Sequence, residues 1–207
     1  MPKLFAILAL LVLMVNPVAA REVTLLALGD SLTAGYGLQP SDAFPVKLEA
    51  ALRANGHPVK VVNAGVAGDT ALDGASRLDW ALSDEVDAVI VELGANDALR
   101  GLPPSQAEQA LDKLLANLAE KRLPVLLAGM RAPPNLGPEY QAAFDGMYQR
   151  LAEKHGALLY PFFLDGVAAD TKLNQADGMH PNPAGVDVIV SRILPSVEEL
   201  LTKVQPR

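Results

Sequence analysis

The sequence contains no cysteine, so neither a disulfide bond nor a cysteine-linked lipid anchor is possible. Its 207 residues include one tryptophan, four tyrosines and five phenylalanines, while half of all residues are hydrophobic. A fold of this chain must therefore be stabilised by its apolar core, without covalent cross-links. The length is typical of one domain, and no internal repeat or low-complexity tract is visible.

Basic residues are also in deficit, since 17 lysines and arginines stand against 24 aspartates and glutamates, for a net charge of −7. Nucleic-acid binding requires a basic surface, and attachment to an anionic membrane requires a basic cluster, so neither is expected. The three histidines are widely spaced and form no H-x-H or H-E-x-x-H pattern, so no metal site is expected.

One hydrophobic run stands apart from the rest of the chain, at its N-terminus. Residues Leu4–Val15 are apolar, Lys3 precedes them, and small residues follow up to Ala20, which is the pattern of a secretory signal peptide. The run is shorter than the roughly 20 residues that span a bilayer. We therefore predict a signal peptide over 1–20 and a mature domain over 21–207, periplasmic or secreted and with no stable membrane insertion.

In the mature chain, apolar runs typical of buried parallel strands alternate with helical patterns. The predicted strands are Val23–Leu28, Val59–Gly65, Ala88–Leu93, Pro124–Met130 and Ala157–Phe163. The predicted helices cover 42–54 and 71–83, begin with a capping box at Ser105–Glu108, run from Tyr140 to Gly156, and begin after Asn182 with a kink or break at Pro195. This alternation predicts an α/β fold, a three-layer α/β/α sandwich around a five-stranded parallel sheet.

Polar residues follow four of these strands, at the edge of a parallel sheet where ligands bind. The segments are Asp30-Ser31, Asn63-Ala64-Gly65, "GAND" at Gly94–Asp97, and "DGMHP" at Asp177–Pro181. Each segment alone has an ordinary interpretation as a helix cap or a tight turn. Together they contain the groups that an acyl-transfer site requires.

A serine hydroxyl needs a base, and a histidine base needs an acceptor on its other ring nitrogen. Ser31 and His180 fit the first pair, and Asp177 lies three residues before His180 in the same loop. The backbone N–H groups of Ser31 and Gly65 and the side-chain amide of Asn96 would give three donors to an oxyanion.

Other polar residues near these segments are predicted to be structural. His57 lies in a helix-to-strand turn at the opposite end of the sheet, and His155 lies in the last turn of a helix. Asp30, Asp69 and Asp97 are predicted to brace the loops around the site.

The four segments resemble, in order, the conserved blocks of the SGNH, or GDSL, hydrolases. The matching residues are "GDSL" at Gly29–Leu32, Gly65 within "NAGVAGDT", Asn96 within "GAND", and Asp177 and His180 within "DGMHP". They span residues 29 to 181. The longer stretch "ALGDSLTAGYG", with the signal peptide, resembles the branch of bacterial periplasmic esterases active as thioesterase, lysophospholipase and arylesterase.

The resemblance implies a flavodoxin-like sandwich in which Ser31 is the nucleophile, His180 the base and Asp177 its orienting partner. It implies an oxyanion hole formed by Ser31, Gly65 and Asn96, and no metal or cofactor. The expected reaction is hydrolysis of a small-molecule acyl ester or thioester through an acyl-serine intermediate.

Three other interpretations bear on the function. A carbohydrate O-acetylesterase would use the same triad. A flavodoxin-like binding module could hold a flavin phosphate in the loop 31–37, but it gives Asp177 and His180 no role. An ordinary α/β-hydrolase is disfavoured because Thr33 occupies the last glycine position of G-x-S-x-G.

An acyl pocket needs apolar walls, and five apolar residues in the candidate loops could supply them. They are Leu102, Pro133, Pro134, Leu136 and Met179. The sequence does not separate thioesterase, arylesterase and lysophospholipase roles. No heptad pattern points to a protein partner, so a monomer is expected.

Overall fold

The computed structural model describes residues 21–83 and 85–205, so the signal peptide predicted over 1–20 lies outside the described residues. Within these residues, five parallel strands form one sheet in the order β2-β1-β3-β4-β5. The strands are β1 (Val23–Gly29), β2 (Val59–Gly65), β3 (Ala88–Glu92), β4 (Val125–Ala128) and β5 (Leu158–Tyr160). The helices are α1 (Ser31–Ala34), α2 (Phe44–Ala54), α3 (Ala71–Ser76), α4 (Leu78–Ala81), α5 (Ala95–Leu99), α6 (Pro104–Glu120), α7 (Pro138–His155) and α8 (Pro183–Thr202).

The predicted three-layer α/β sandwich is confirmed. Helix α2 packs against α8, and α6 packs against both α3 and α7, which gives the two helical layers on the sheet. Every residue of β3 and β4 is buried. Since both faces of these strands are covered, their sequences do not alternate and are apolar apart from Glu92 at the end of β3. None of the described helices is long and apolar enough to cross a membrane.

The strand order creates a topological switch point. The connection from β1 leads to β2 on one side, and the connection from the adjacent β3 leads to β4 on the other, so the two connections run in opposite directions. A crevice opens outside the carboxyl ends of the strands at such a point. Ser31 directly follows β1 and Asn96 follows β3, so the topology brings these two residues to the same crevice.

Two short helices were not predicted, α1 after β1 and α5 after β3. They contain four and five residues, which is too short for a helical hydrophobic period to be visible. The predicted helix over 71–83 is also wrong, because it divides at Arg77 into α3 and α4. The Arg77 guanidinium donates to the Asp69 carboxylate at 2.6 Å and to the Gly29 carbonyl at 2.9 Å, which ties the division to the end of β1.

Two predictions about helix ends are corrected as well. The capping box at Ser105–Glu108 is wrong, because α6 begins at Pro104 with no side-chain cap. Proline has no N–H to be capped and its φ suits the first turn. The break at Pro195 is also wrong, because α8 is one helix through that residue. Apolar residues on either side of it, Ile193 and Val197, are fully buried and hold both halves against the sheet.

Candidate active site

The serine predicted as nucleophile is the first residue of α1, immediately beyond β1. Asp30 caps this helix, and its Oδ1 accepts a hydrogen bond from the N–H of Leu32 at 2.9 Å. The strand enters the helix without a loop, which requires a close approach at Gly29: a Cβ there would lie 2.1 Å from Thr33 Oγ1. The glycine therefore allows Ser31 to be held at the edge of the sheet by two regular elements.

A hydrogen-bonded chain runs from Ser31 to His180 and on to Asp177. His180 Nε2 lies 2.9 Å from Ser31 Oγ, and His180 Nδ1 lies 2.6 Å from Asp177 Oδ2. With its Nδ1–H donated to the carboxylate, the imidazole leaves Nε2 as an acceptor for the serine proton. Ser31 and His180 are 149 residues apart in the sequence, and the fold joins them.

The Asp177 carboxylate is fixed by its own loop. Its Oδ1 accepts the backbone N–H groups of Met179 at 2.9 Å and His180 at 3.0 Å. Hydrogen bonds from the His180 N–H, the Met179 N–H and the His180 ring lower the pKa of Asp177 to about 2. Asp177 is therefore ionised throughout the neutral range and serves as a fixed acceptor for the Nδ1–H of His180.

Two residues that hold this loop were missed by sequence reasoning. Gln175 donates through Nε2 to the carbonyl of Tyr36 at 2.8 Å and to that of Pro181 at 2.9 Å. The ring of Tyr36 lies against the His180 ring, with 4.6 Å between the centroids. Both residues therefore link the loop after β5 to the segment after α1. The aromatic in "AGYG" beside a candidate nucleophile was the signal that could have identified Tyr36.

Of the three predicted oxyanion donors, Gly65 and Asn96 have other acceptors in this structure. Gly65 N–H donates to Asn63 Oδ1 at 2.9 Å. Asn96 Nδ2 lies 3.1 Å from Asp30 Oδ2 and 3.0 Å from the Asp69 carbonyl, so both amide hydrogens have acceptors. Donation from Asn96 to a third oxygen therefore needs a shared hydrogen or the release of one acceptor.

Two fully buried carboxyl groups lie beneath the nucleophile. Thr33 Oγ1 donates to Glu92 Oε2 at 2.7 Å, and Glu92 Oε1 has no hydrogen-bond partner among the described residues. Burial, and then the nearby charge of Asp30, raise the pKa of Glu92 well above its usual value, which favours the neutral acid. Burial also raises the pKa of Asp30, to about 6, against the opposing effects of the Leu32 N–H and His180.

A cavity of about 520 Å³ opens beside Ser31 and His180. Of the residues predicted to contact substrate, Pro133, Pro134 and Met179 lie on its wall. Leu102 and Leu136 do not lie on this wall: Leu102 lines a separate cavity between α3 and α6, and Leu136 lies beside Gly101. The apolar wall residues that the sequence did not single out are Leu32, Ala95, Ala98, Leu99, Met130, Ala132, Phe162, Leu164, Ala168 and Ala169.

The other polar residues near the catalytic edge have structural contacts. Asp69 pairs with Arg77, and Asp97 Oδ2 accepts the Ala71 N–H at 2.8 Å at the start of α3. The other two histidines lie away from the cavity. His57 is 3.4 Å from Glu198, and His155 is 2.7 Å from Asp112.

No metal cluster is visible in the described part of the chain, since no three His, Asp or Glu side chains there are grouped to hold an ion.

Similarity to known proteins shows which family this chain belongs to. The profile of the GDSL-like Lipase/Acylhydrolase family matches residues 27–188, which include all four motif segments. The chain belongs to this family. It is therefore a serine hydrolase that acts on ester bonds.

Individual members of the GDSL-like family are similar over most of their length. Esterase TesA from Pseudomonas aeruginosa is 39% identical over 192 residues, which cover 92% of this chain and 94% of its own. Thioesterase 1/protease 1/lysophospholipase L1 from Escherichia coli is 41% identical over 165 residues, 79% of this chain and 78% of its own. The crystal structure of AlinE4, an SGNH-hydrolase family esterase, superposes with a TM-score of 0.74 at 47% identity, covering 87% of this chain and 97% of that one. These names support hydrolysis and give no support to a flavin-binding module.

Proposed function

We propose that Ser31 is the nucleophile of this esterase, His180 its general base and Asp177 the group that orients and stabilises the imidazole. The observation that carries the proposal is the pair of distances from His180, 2.9 Å to Ser31 Oγ and 2.6 Å to Asp177 Oδ2. They match the hydrogen-bond reach that a nucleophile, its base and an orienting carboxylate require.

Each step of the reaction follows from these positions. Ser31 Oγ attacks the ester carbonyl carbon while its proton moves to His180 Nε2, and the ionised Asp177 stabilises the imidazolium. The protonated histidine then gives its proton to the leaving alcohol or thiol, which leaves an acyl-serine. A water molecule, deprotonated by the same nitrogen, attacks the acyl carbon, and His180 then returns the proton to Ser31 Oγ as the acyl–serine bond breaks and the acid leaves.

The negative oxygen of each tetrahedral intermediate needs donors. We assign the backbone N–H of Ser31, the backbone N–H of Gly65 and the Nδ2 amide of Asn96 to this role. The Ser31 N–H is at the first position of α1, where no intrahelical acceptor exists. It is the donor that requires no rearrangement, and the other two would exchange their present acceptors for the oxyanion.

The substrate we propose is a carboxylic ester or thioester with an apolar acyl chain. The cavity beside Ser31 has walls that are mostly aliphatic or proline, with Pro133, Pro134 and Met179 among them. Such walls favour an acyl chain over the hydroxyl groups of a sugar, so a carbohydrate O-acetylesterase is the less favoured alternative. The names of the relatives support thioesterase, arylesterase and lysophospholipase activities for the same site.

The nucleophile is tested by hydrolysis of p-nitrophenyl esters from acetate to palmitate, with wild type and Ser31→Ala compared directly. We expect Ser31→Ala to lower kcat by about 10³-fold or more, because the acyl-enzyme can no longer form. Asn96→Ala should lower kcat by about 10²-fold, since it removes one oxyanion donor and leaves the nucleophile.

Equal activity in wild type and Ser31→Ala would remove Ser31 from the mechanism. His155→Ala is the matched control for histidine loss, because that ring pairs with Asp112 away from the cavity. It should keep esterase activity, whereas His180→Ala should lose it. The chain-length profile of the wild type then measures the depth of the acyl site.

We also propose that the protein is exported and that the signal peptide is removed after Ala20. The charged start, apolar run and small residues of 1–20 support this. The intact mass of the protein recovered from a periplasmic fraction should correspond to a chain that begins at Arg21. Recovery of a cytoplasmic protein that retains Met1 would contradict the proposal.

A further inference from the structure

The wall of the catalytic cavity carries an arginine with no part in the mechanism. Arg131 follows β4 by a few residues, lines the same cavity as Ser31 and His180, and is exposed to solvent. The buried Asp30 and the base His180 are the other titratable groups of this wall, and apart from Ser31, Asn96, Asn174 and Gly178 the remaining wall residues are apolar. The guanidinium therefore places a positive charge in a cavity whose wall is mostly apolar.

The arginine head group is held in place without an acidic partner. Its Cζ atom lies over the ring of Phe162, 4.8 Å from the centroid. Within the described residues, no carboxylate lies at ion-pair distance from Arg131. Several other arginines do pair with carboxylates, namely Arg21, Arg53, Arg77, Arg150 and Arg192.

Such a guanidinium is suited to bind an anion. Stacking on an aromatic ring reduces its freedom to rotate while leaving its N–H donors directed outward. The planar donors match a phosphate in a two-point contact. In a chain with a net charge of −7, an arginine at the substrate cavity also provides a local attraction for an anion.

We propose that Arg131 is a specificity-determining residue that selects esters carrying a phosphate close to the scissile bond. The proposal rests on the proposed function, since it assumes that the ester carbonyl lies at Ser31. A sphere with the volume of the cavity, about 520 Å³, is about 10 Å across. The phosphate of a glycerophosphate ester is only a few bonds from the carbonyl and falls within this span. The phosphates of an acyl-coenzyme A lie beyond a long pantetheine arm and do not.

The experiment compares two substrates that differ only in the phosphate: 1-octanoyl-glycerol 3-phosphate and 1-octanoyl-glycerol, both below their micellar concentrations. The measured quantity is the ratio of kcat/KM for the anionic ester to kcat/KM for the neutral one. Arg131→Gln should lower this ratio about three- to tenfold, as expected for loss of a partly exposed charge-assisted contact. Arg131→Lys should retain part of it.

Lys113→Gln is the matched control, because it removes the same charge from the wall of the separate cavity between α3 and α6. It should leave the ratio at the wild-type value, and an equal fall in both glutamine variants would overturn the proposal. An unchanged ratio in Arg131→Gln would overturn it as well.

The wild type alone supplies a test that does not depend on a variant folding. Its ratio should fall as ionic strength rises, because salt screens an exposed ion pair. A ratio that is constant with salt would contradict the role of Arg131. Failure of Ser31 as nucleophile is distinguished by Ser31→Ala keeping activity on both esters, which leaves their ratio measurable.

Discussion

Asp30 is next to the nucleophile in the sequence and is fully buried. Its ionisation therefore affects the stability of the protein as well as the position of the groups that it binds. Its two oxygens accept hydrogen bonds from Leu32 N–H and from Asn96 Nδ2. The ionised form is therefore the one that holds the amide of Asn96. Burial nevertheless raises the pKa from its ordinary 3.8 to about 6, so the folded protein retains a proton that the unfolded chain releases.

The raised pKa of Asp30 makes the free energy of unfolding depend on pH. Between about pH 4 and pH 6, the folded state binds more protons at Asp30 than the unfolded state, so the free energy of unfolding falls as pH rises. The shift of this pKa from 3.8 to about 6 corresponds to a decrease of about 3 kcal/mol in the free energy of unfolding, from pH well below 4 to pH well above 6. We expect the stability difference between wild type and Asp30→Asn, measured by urea unfolding, to change by that order from pH 4 to pH 7. A difference that is constant with pH would contradict the assignment.

At the scale of elements, the contact between β2 and α1 positions the catalytic groups. Gly65 ends β2, and a Cβ added to it would lie 2.3 Å from the backbone nitrogen of Ala34 and 2.8 Å from the Asp30 carbonyl. These are backbone atoms of the helix that carries the nucleophile and of its cap, so they can give way only if α1 moves. Because Gly65 has no side chain, the end of β2 can lie this close to α1.

We therefore expect Gly65→Ala to lower kcat at least tenfold and to reduce the free energy of unfolding by about 1–3 kcal/mol. Gly146→Ala is the control within α7, where the added Cβ meets only the flexible Arg150 guanidinium at 3.0 Å. That change should keep activity and raise stability by up to about 1 kcal/mol, because alanine favours a helix. Esterase kinetics and urea unfolding of both variants test the contrast.

Particular elements also show the limits of sequence reasoning at this scale. The strands β1 and β3 were readable because each contains a run of four or more apolar residues, Leu25–Leu28 and Ala88–Val91. The helices α1 and α5 were not, because neither is long enough to show a period, and both are stabilised by tertiary contacts such as the Asn96–Asp30 hydrogen bond. Pro195 likewise suggested a break that burial of the surrounding helix overrides.

For the whole molecule, one continuous hydrophobic core joins the sheet to both helical layers, without any disulfide. We expect a single unfolding transition, in which far-UV circular dichroism and esterase activity are lost together. Trp80, the one tryptophan of the chain, is 88% exposed, so its emission wavelength should change little on unfolding. Separate transitions for dichroism and activity would indicate that the catalytic edge unfolds on its own.

The sequence by itself determined the fold class and the identity of the catalytic candidates. Apolar runs reveal buried strands, and serine, histidine and aspartate in their four motif segments reveal a chemistry, because both are properties of local residue order. The tertiary structure decided which groups meet across the chain. It placed Tyr36 on His180, gave Asn96 two acceptors, put Arg131 on the cavity wall and left Leu102 and Leu136 outside it. These contacts depend on how separate loops pack at the sheet edge, which no local pattern specifies.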